Sequence, residues 1–335
     1  MDAIILVGGQ GTRLRPLTLT RHKSLMPLCN RPAIEYLFEW LGEHGIERVV
    51  LALGRNNEDL ADAYPGGRLG GLELVLVQET HRLESGGAIR NAVQTAGIEG
   101  RFVVLNGDIF ADFDLTAAIG EHESRQADLT LALHEVEDPS QFGVAVVDAE
   151  GMVTGFVEKP PLGTAPSNLV NAGVWIFEPW LVGEIPEGAV RVEETLFPSL
   201  VARRKRVLGY VFEGLWEDIG VHWRYLSLNR ELLKTHPLCG EDVLVEPTAM
   251  VSESSLGAKT RIAAGASVRR SLLWERVTVG DGASVEDSIL ADGVVVGAGA
   301  TVTGLVAASG AIIAEGAVVP RGTLLEPGAR YDASR

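Results

Sequence analysis

A glycine-rich turn near the amino terminus carries the strongest chemical signal in this sequence. Five apolar, β-prone residues precede Gly8, Gly9 and Gly11, so a strand would end in a bend whose backbone N–H groups face a ligand. No Asp or Glu lies between Asp2 and Glu35, whereas five cations do: Arg13, Arg15, Arg21, Lys23 and Arg31. Because the formal net charge of the chain is -16, this basic stretch predicts a small polyanionic ligand and not a nucleic-acid surface.

A second chemical candidate is the carboxylate of Asp108. It follows the apolar run Phe102 to Leu105 through Asn106 and Gly107. A carboxylate at the end of a buried strand suits a Mg²⁺ ion that keeps several waters and bridges substrate phosphates. The same side chain would also suit the capping of the next turn, and the residues alone leave both roles open.

The elements that must position these groups alternate between strand and helix. Such alternation predicts an α/β, Rossmann-like, doubly wound and mostly parallel sheet, whose ligand crevice lies beyond the carboxyl ends of the strands. The predicted strands cover residues 48–53, 72–77 and 102–105. One predicted helix starts at Asn30-Arg31-Pro32. The other predicted helices cover residues 56–64, 87–96, 192–202 and 226–233.

From about Val243 the sequence repeats with a step of 17 residues. Apolar residues recur at this step in three rows, and Gly-Ala pairs recur between them, as a triangular coil of short parallel strands requires. The repeat predicts about five coils of a β-helix over residues 243–330, after a first domain over residues 1–236. The three predicted inward rows are Ile262, Val279, Val296 and Ile313; Val268, Val285, Val302 and Val319; and Leu272, Ile289 and Val306.

Composition narrows the class of protein. The acidic balance, with a pI near 4.9, disfavours nucleic acid and anionic membranes as partners. Apolar runs are no longer than a strand, which predicts no transmembrane helix, and the first residues lack the features of an export signal. Cys29 and Cys239 are too few and too far apart to predict a disulfide framework or a zinc site, so we expect a cytoplasmic protein.

In order along the chain, the motifs resemble those of the sugar-1-phosphate nucleotidyltransferases. The amino-terminal motif is GGQGTRLRPLT followed by Lys23 and NRPAIEY, and Asp218 lies in GLWEDIGVHWRYL, similar to the W-x-DIG-x-x-x-x-YL segment of that family. Between them, PSQFGVAVVD, FVEKP and NAGVWIF match the sugar-binding half of the family. The resemblance covers nearly the whole chain and implies the nucleotide-diphospho-sugar transferase fold followed by a left-handed β-helix of hexapeptide-like repeats.

The resemblance also implies a reaction. The phosphate oxygen of a hexose 1-phosphate would attack the α-phosphorus of a nucleoside triphosphate and expel pyrophosphate. The implied catalytic residues are Arg13, Lys23, Asp108 and Asp218, with Mg²⁺ on the two carboxylates. The implied nucleotide-binding residues are Leu6, Gly8, Gly9, Gly11, Thr12, Arg13, Lys23, Glu79, Ser85, Gly86, Asn106, Gly107 and Asp108. The implied sugar-phosphate-binding residues are Gly143, Glu158, Lys159, Asn171 and Asp218, although an isolated Glu-Lys pair is more often a solvated ion pair.

The substrates are less sharply indicated. QETHRLESGGA, CNRP, VLNGDI and EGLWEDIG are similar to segments of the mannose-1-phosphate guanylyltransferases, which favours GTP and mannose 1-phosphate. Thymidylyltransferases for glucose 1-phosphate share most motifs and LESGG is also similar to uridylyltransferases, so dTTP and UTP remain alternatives. The resemblance places Glu79 where the family has a base-reading residue, and a carboxylate there would accept the N1–H and 2-amino groups of guanine. The alternative is a solvent-facing Glu79, with guanine read by backbone groups of the glycine loop.

Two positions depart from the family pattern. His22 stands where proline usually precedes the lysine, which removes the ring that fixes φ, and Glu84 stands where glycine is usual. These departures keep open a regulatory paralogue that binds a nucleotide-sugar without turnover. Because both metal carboxylates and both lysines are present, the enzyme is the favoured interpretation.

The β-helix invites two further expectations. Many hexapeptide-repeat proteins are acyltransferases that use a histidine as base, but all seven histidines of this chain precede the repeat, which predicts no second active site there. An open coil leaves strand edges and apolar core exposed, so we expect a homo-oligomer with the coils from Val243 to Val319 at an interface.

Overall fold

The protein is described by a computed structural model that covers residues 1–55, 57–234 and 238–332. Its backbone divides into two compact units. Unit 1 contains Met1–Gly9 and Ile34–Glu217, and unit 2 contains Gln10–Ala33 and Asp218–Arg335. The glycine-rich turn is therefore shared, with Gly8 and Gly9 in unit 1 and Gly11 in unit 2. Asn56 and His236, where a helix was predicted to begin and the first domain to end, lie outside the described residues, and the predicted domain boundary stays a prediction.

The elements up to residue 234 are strands and short helices. The strands are β1 (Asp2–Leu6), β2 (Pro27–Leu28), β3 (Arg31–Pro32), β4 (Arg48–Leu53), β5 (Gly67–Leu69), β6 (Leu72–Gln78), β7 (Phe102–Asn106), β8 (Ile109–Ala111), β9 (Leu129–Glu135), β10 (Gly143–Val147), β11 (Val153–Glu158), β12 (Leu169–Phe177), β13 (Val207–Val211) and β14 (Trp216–Asp218). The helices are α1 (Ala33–Glu43), α2 (Glu58–Ala63), α3 (Glu84–Ala96), α4 (Leu115–Ser124), α5 (Leu196–Ala202) and α6 (His222–Leu233).

Unit 1 is built on a sheet with a parallel centre. Strands β7, β1, β4 and β6 lie side by side and run parallel, and β12 joins β7 in the antiparallel sense. β9, β10, β11 and β13 extend the sheet beyond β12, and β5 closes the other edge. The core includes the fully buried rings of Phe102, Trp175, Phe177 and Phe197. This arrangement confirms the predicted α/β fold and brings the ends of β1 and β7 together.

The first helix begins later than the sequence pattern predicts. Asn30 is the second residue of a two-residue turn between β2 and β3, Arg31 and Pro32 form β3, and α1 starts at Ala33. Cys29 and Asn30 have φ of 48° and 64°, the left-handed values that a tight hairpin of this kind requires. Asparagine tolerates such a φ, so the turn competes successfully with the helix start that proline suggested.

Unit 2 contains a parallel β-helix. Its strands are β15 (Leu238–Cys239), β16 (Leu244–Val245), β17 (Met250–Ser252), β18 (Ser255–Leu256), β19 (Arg261–Ile262), β20 (Ser267–Arg269), β21 (Leu272–Leu273), β22 (Thr278–Val279), β23 (Ser284–Glu286), β24 (Ile289–Leu290), β25 (Val295–Val296), β26 (Thr301–Thr303), β27 (Val306–Ala307), β28 (Ile312–Ile313), β29 (Val318–Val319), β30 (Leu324–Leu325) and β31 (Arg330–Tyr331). They form two sheets of six strands and one of five, as a three-sided coil requires. The predicted period is confirmed by the register, in which Val279 pairs with Ile262 and Val296.

One of the three predicted inward rows is wrong by one residue. The side chains inside the coil are Leu273, Leu290 and Ala307, whereas Leu272, Ile289 and Val306 lie on the outer side of the same strands. Both rows are buried and apolar, so hydrophobic periodicity could not distinguish them. The last coil also pairs Val306 with Leu324, which is one residue more than the regular step.

A ladder of buried serines runs along one corner of the β-helix. The hydroxyl oxygens of Ser254, Ser271 and Ser288 each accept a backbone N–H of the next coil at 3.1 Å. Each hydroxyl donates in turn to a carbonyl two residues earlier, at 2.7–2.8 Å. These serines satisfy backbone groups that the corner would otherwise bury without a partner.

Among the described helices of the chain, none is long and apolar enough to cross a membrane.

Candidate functional site

The carboxyl ends of β1 and β7 meet at one edge of the sheet in unit 1. Leu6 is the register partner of Asn106, and the N–H of Gly107 donates to the carbonyl of Leu6 at 3.0 Å. A Cβ on Gly107 would overlap Cγ1 of Val7 and lie 3.1 Å from the oxygen of Leu6. Glycine is therefore required here by close packing. The next residue is the half-buried Asp108, which lies at this edge of the sheet directly before β8.

Glu79 lies beside the first glycine of the turn. Its side chain is buried, with 8% of the residue exposed, and a Cβ on Gly8 would lie 3.4 Å from its Oε1. Its Oε2 accepts the N–H of Leu83 at 3.3 Å. Burial raises the pKa of this carboxyl above its ordinary value, against the lowering effect of the Leu83 bond. The predicted alternative of a solvent-facing Glu79 does not fit this burial.

Ser85, in the segment after Glu79, contacts the carboxyl of Glu193, which the motifs did not identify. Ser85 donates from Oγ to Oε2 of Glu193 at 2.6 Å and accepts the N–H of Val192 at 3.1 Å. Burial raises the pKa of Glu193, and the nearby carboxylate of Glu158 adds to the rise. Sequence reasoning missed Glu193 because it lies in a predicted helix, whereas α5 starts only at Leu196. Gly86 packs against Val190, whose carbonyl accepts its N–H at 2.8 Å.

Gly143 and Glu158 face each other across the β10–β11 ladder. A Cβ on Gly143 would lie 2.7 Å from Oε2 of Glu158, so the glycine makes room for that carboxylate. Oε1 of Glu158 lies 2.9 Å from Nζ of Lys159, whose side chain is 52% exposed. The two residues do form an ion pair, but the glutamate is mostly buried and only the lysine reaches solvent.

Asn171 lies where β12 leaves its regular pairing with β9. Its Oδ1 accepts the N–H of Gly173 at 3.1 Å and Nε1 of Trp175 at 2.7 Å. Gly173 has a φ of +74°, and a Cβ there would lie 2.6 Å from Nδ2 of Asn106. The amide oxygen of Asn171 thus holds the irregular strand in shape.

In unit 2 the turn continues as a compact loop. Gly11 has a left-handed φ of 57°, and its carbonyl accepts Oγ1 of Thr18 at 2.8 Å. A Cβ on Gly11 would lie 2.9 Å from Cγ2 of Thr18 and 3.4 Å from Cβ of Lys23. Thr12 and Arg13 are exposed in the single helical turn that follows Gly11. The loop therefore folds Lys23 back against the glycine that leads to Arg13.

His22 replaces the usual proline without losing its geometry. Its φ is -59°, which is the value that a proline ring imposes. Its Nδ1 accepts the N–H of Ser24 at 3.2 Å and so caps the helical turn Lys23–Leu25. This hydrogen bond, rather than a proline ring, fixes the backbone at Lys23.

The other family departure also has a backbone explanation. Glu84 has a positive φ of 57°, a conformation that glycine adopts without strain. Its carboxylate pairs with Arg82 at 2.6 Å and Arg191 at 3.4 Å, and these ion pairs hold the side chain at the start of α3. The usual glycine is thus explained by the conformation of the chain at this position.

Asp218 and Arg13 approach the same glycine of unit 2. Oδ1 of Asp218 accepts the N–H of Gly220 at 2.6 Å, and Oδ2 lies 4.0 Å from Nη1 of Arg224. A Cβ on Gly220 would lie 2.5 Å from Oδ1 of Asp218 and 2.7 Å from Nη2 of Arg13. The structure thus brings Gly11, Arg13, Lys23 and Asp218 together within unit 2.

The predicted metal ligands have the chemistry that Mg²⁺ requires. Asp108 and Asp218 are both half-buried carboxylates, each at the end of or next to a strand. Mg²⁺ is commonly held by one or two carboxylates together with waters and substrate phosphates. Among the described residues, no group of three or more His, Cys, Asp or Glu side chains could hold a metal ion.

Comparison with known families divides the chain into two parts. Residues 2–235 match the family described as "Nucleotidyl transferase". Residues 244–329 match the family described as "GlmU-like, C-terminal hexapeptide". The second match confirms the predicted left-handed β-helix of hexapeptide repeats.

Relatives from distant organisms carry names that refer to the same reaction. The chain is 35% identical to "Mannose-1-phosphate guanylyltransferase" of Mycobacterium tuberculosis over 70% of its length, which spans 65% of that relative. It is 32% identical to "Putative mannose-1-phosphate guanyltransferase" of Sulfolobus acidocaldarius over 80% of the chain and 74% of the relative. A similar solved structure is that of HddC from Yersinia pseudotuberculosis, with a TM-score of 0.58, 26% identity, and coverage of 69% of this chain and 99% of that one.

Proposed function

The chain belongs to the nucleotidyl transferase family, and on that premise we propose that it transfers a guanylyl group from GTP to mannose 1-phosphate. The products are GDP-mannose and pyrophosphate. The observation that carries the proposal is the sequence identity of 32–35% to relatives named for this reaction, over most of the chain. The buried carboxylate of Glu79 beside Gly8 favours guanine among the bases.

The reaction forms one bond and breaks another at phosphorus. A phosphate oxygen of the hexose 1-phosphate attacks the α-phosphorus, and the oxygen that bridges the α- and β-phosphorus leaves with pyrophosphate. Catalysis then rests on positioning and on neutralisation of negative charge. In this proposal the backbone of Gly8, Gly9 and Gly11 cradles the triphosphate, and Arg13 and Lys23 offset its charge.

Asp108 and Asp218 are the proposed ligands of Mg²⁺. When bound, the ion would neutralise charge on the phosphates during the transfer. The two carboxylates supply hard oxygen donors and remain half-exposed, which leaves room for waters and phosphate oxygens. Unit 2 holds Asp218 by its bond to Gly220, so one oxygen is oriented before any ion binds.

The sugar phosphate is proposed to bind along β10, β11 and β12. Lys159 supplies a cation for the phosphate, and Glu158 accepts hydrogen bonds from hydroxyl groups of the sugar from its place opposite Gly143. Asn171 already accepts two hydrogen bonds on its oxygen, so its contact with the sugar would use the amide nitrogen. Glu193 adds a second carboxyl near Glu158 and is oriented by Ser85.

A regulatory paralogue without turnover is the competing function. The two departures that favoured it, His22 and Glu84, keep the backbone geometry of proline and glycine respectively. Since the loop keeps its shape and the predicted catalytic residues are present, we favour the enzyme.

We also propose a homo-oligomer formed through the β-helix. Exposed apolar side chains lie on its outer faces and at its ends, namely Leu244, Met250, Val318 and Leu324. Light scattering at micromolar concentration should give a mass of at least two chains. A mass of one chain would refute this assembly.

The decisive experiment measures pyrophosphate release by the full-length protein with Mg²⁺. Four nucleotides (GTP, dTTP, UTP and ATP) are crossed with mannose, glucose and N-acetylmuramate 1-phosphates. We expect the highest kcat/KM for GTP with mannose 1-phosphate. A clear preference for dTTP or UTP would overturn the guanylyl assignment, and binding of a nucleotide-sugar without any release would support the regulatory paralogue.

A further inference from the structure

The segment Gln10–Ala33, here called the cation loop, is fastened to the β-helix within unit 2. The contact runs along one corner of the β-helix, here called the docking corner, where β18, β21, β24 and β27 end. The docking corner consists of Ser255, Leu256, Trp274, Asp292 and Ser309. Because the cation loop carries Arg13 and Lys23, the way it is fastened affects the placement of both cations.

Arg21 makes the charged contact between the two. Its Nη2 lies 2.7 Å from Oδ2 of Asp292, and its guanidinium lies 4.9 Å from the ring centre of Trp274. The other carboxylate oxygen of Asp292 accepts the N–H of Glu275 at 3.1 Å. Asp292 is therefore oriented by its neighbouring coil, and Arg21 is held both by a charge and by an aromatic face.

Further contacts fasten the loop on both sides of Lys23. Oγ1 of Thr20 lies 3.2 Å from Oγ of Ser309, which is one repeat after Asp292. On the other side, Oη of Tyr225 donates to the carbonyl of Pro27 at 2.6 Å and accepts Nε1 of Trp274 at 3.2 Å. Lys23 thus lies on a short segment whose two ends are both tied to unit 2.

The end of the loop is fastened as well. Nδ2 of Asn30 donates to the carbonyl of Leu256 at 2.8 Å, and Oγ of Ser255 donates to Oδ1 of Asn30 at 3.0 Å. From Asn30 back to Thr20, the loop therefore crosses four successive coils of the docking corner.

The docking corner is also where the β-helix departs from its own repeat. In the four coils that the cation loop contacts, Trp274 stands in a column whose other members are Gly257, Ala291 and Ala308. A repeat of small residues that is interrupted once by a large aromatic residue indicates a contact specific to that coil. Asp292 stands in the neighbouring column, one residue further along each coil. Among the described residues of that column, it is the one carboxylate that pairs with an arginine of the cation loop.

We propose that Arg21 and Asp292 form a positioning pair, which holds the cation loop so that Arg13 and Lys23 meet the triphosphate in the transition state. This inference rests on the proposed nucleotidyl transfer. Neither residue need touch substrate, since both act through the backbone between Gly11 and Met26. The β-helix then contributes to turnover as well as to assembly.

The test compares Arg21→Gln, Asp292→Asn and the double variant in the full-length protein. Each single variant should lower kcat about tenfold, with a change in KM for the nucleotide of no more than about threefold, because the cations are misplaced and not removed. The double variant should be no worse than either single variant, since both break the same contact. Arg21→Lys should recover part of the loss, because an ammonium keeps the charge but lacks the planar group that stacks on Trp274.

Asp287→Asn is the matched control, since it makes the same change in the β-helix away from the cation loop. Asp287 accepts from Arg270 at 2.7 Å and Arg321 at 2.8 Å. We expect it to lower the unfolding midpoint while kcat stays within about twofold of the wild type. A kcat within twofold of the wild type in both test variants, or losses that multiply in the double variant, would overturn the positioning pair.

Amide hydrogen exchange separates this inference from the proposed function. Peptides within residues 10–33 should exchange faster in Arg21→Gln and Asp292→Asn than in the wild type or Asp287→Asn. If the wild type released no pyrophosphate from any substrate pair, the proposed function would fail. The exchange result would still decide whether Arg21 and Asp292 hold the loop, and unchanged exchange would refute that.

Discussion

The parallel sheet of unit 1 and the β-helix of unit 2 use the same residue types for different purposes. In the sheet, Gly107 is needed because neighbouring atoms leave no room for a Cβ. In the β-helix, Gly282 and Gly299 have positive φ of 63° and nothing within 4 Å of an added Cβ. Gly107, at a strand end that occurs once, marks close packing at a site, whereas Gly282 and Gly299, which recur with the coil, mark a turn that needs a left-handed φ.

Polar residues differ between the two regions in the same way. Glu79 and Asp108 occur once each, at the carboxyl ends of different strands. The serines at 254, 271 and 288 recur with the coil and bond to the backbone of the next one. Repetition therefore indicates a role in stability, and a residue that occurs once or breaks a repeat indicates a role in function.

Asp108→Asn should lower kcat by at least about a hundredfold, because a Mg²⁺ ligand contributes roughly 3 kcal/mol or more to the transition state. Asp218→Asn should lose a similar amount if the two carboxylates share the ion. Both variants should keep the unfolding midpoint of the wild type within a few degrees. The control is Asp281→Asn, an exposed carboxylate of the β-helix, and a kcat for Asp108→Asn as high as that of this control would contradict the metal role.

Glu79→Gln should reduce the preference for GTP over UTP about tenfold to a hundredfold, mainly through loss of kcat/KM for GTP. The amide can accept only one of the two guanine N–H groups and presents an N–H to the other. Because burial raises the pKa of Glu79, the preference for GTP should weaken as the pH falls and the carboxyl takes up a proton.

Glu73→Gln is the control for this variant, since Glu73 is exposed on β6, the strand that ends directly before Glu79. Its GTP to UTP ratio should equal that of the wild type. An unchanged ratio in Glu79→Gln would remove Glu79 from base recognition.

The sequence predicted more of the fold than of the contacts that hold the site. β4 has the predicted bounds, 48–53, because a run of apolar residues between turn signals defines a central strand by itself. The inner and outer rows of β21 could not be distinguished, since Leu272 and Leu273 are both apolar and both buried. Period alone fixes the length of a coil, but not which of two adjacent apolar residues points inward.

The candidate site shows the same limit. Motifs identified Arg13 and Lys23, but the docking of their loop depends on Asp292 and Trp274, which lie far away in the sequence. No local propensity reports such a contact. The one available signal was the interruption of a column of small residues by Trp274, and it becomes meaningful only after the repeat is aligned to itself.

The same substitution in both regions tests the distinction between their glycines. Gly107→Ala should destabilise the protein by about 1–3 kcal/mol, because the new methyl group overlaps Val7 and the rigid carbonyl of Leu6. Gly282→Ala should cost about 1 kcal/mol, since only the positive φ opposes it. Denaturant unfolding of both variants checks the order, and a greater loss for Gly282→Ala would reverse the interpretation.

Asp287→Asn tests whether the charged ladder of the β-helix serves stability. The bonds from Arg270 and Arg321 lower the pKa of Asp287 to about 2. A depressed carboxyl pKa stabilises the folded state above the ordinary pKa near 4, and this contribution disappears as the pH falls towards 2. The unfolding midpoint of the variant should therefore lie a few degrees below that of the wild type at pH 7 and approach it near pH 2. A difference that does not depend on pH would mean that the charge of Asp287 contributes nothing.

His22→Pro should produce the smallest change. His22 already has the φ of a proline, so a proline ring adds no strain. The substitution removes the hydrogen bond from Ser24 to Nδ1, but the ring partly compensates because it fixes the backbone. We expect kcat within about twofold of the wild type, whereas His22→Gly, which removes both the cap and the restriction on φ, should lower kcat further. If instead proline were as harmful as glycine, the hydrogen bond from Ser24 to Nδ1 would be what holds Lys23 in place. His22 would then be a positioning residue that acts through its side chain. The proline usual in the family would fix the backbone in a different way, and the two residues would not be interchangeable.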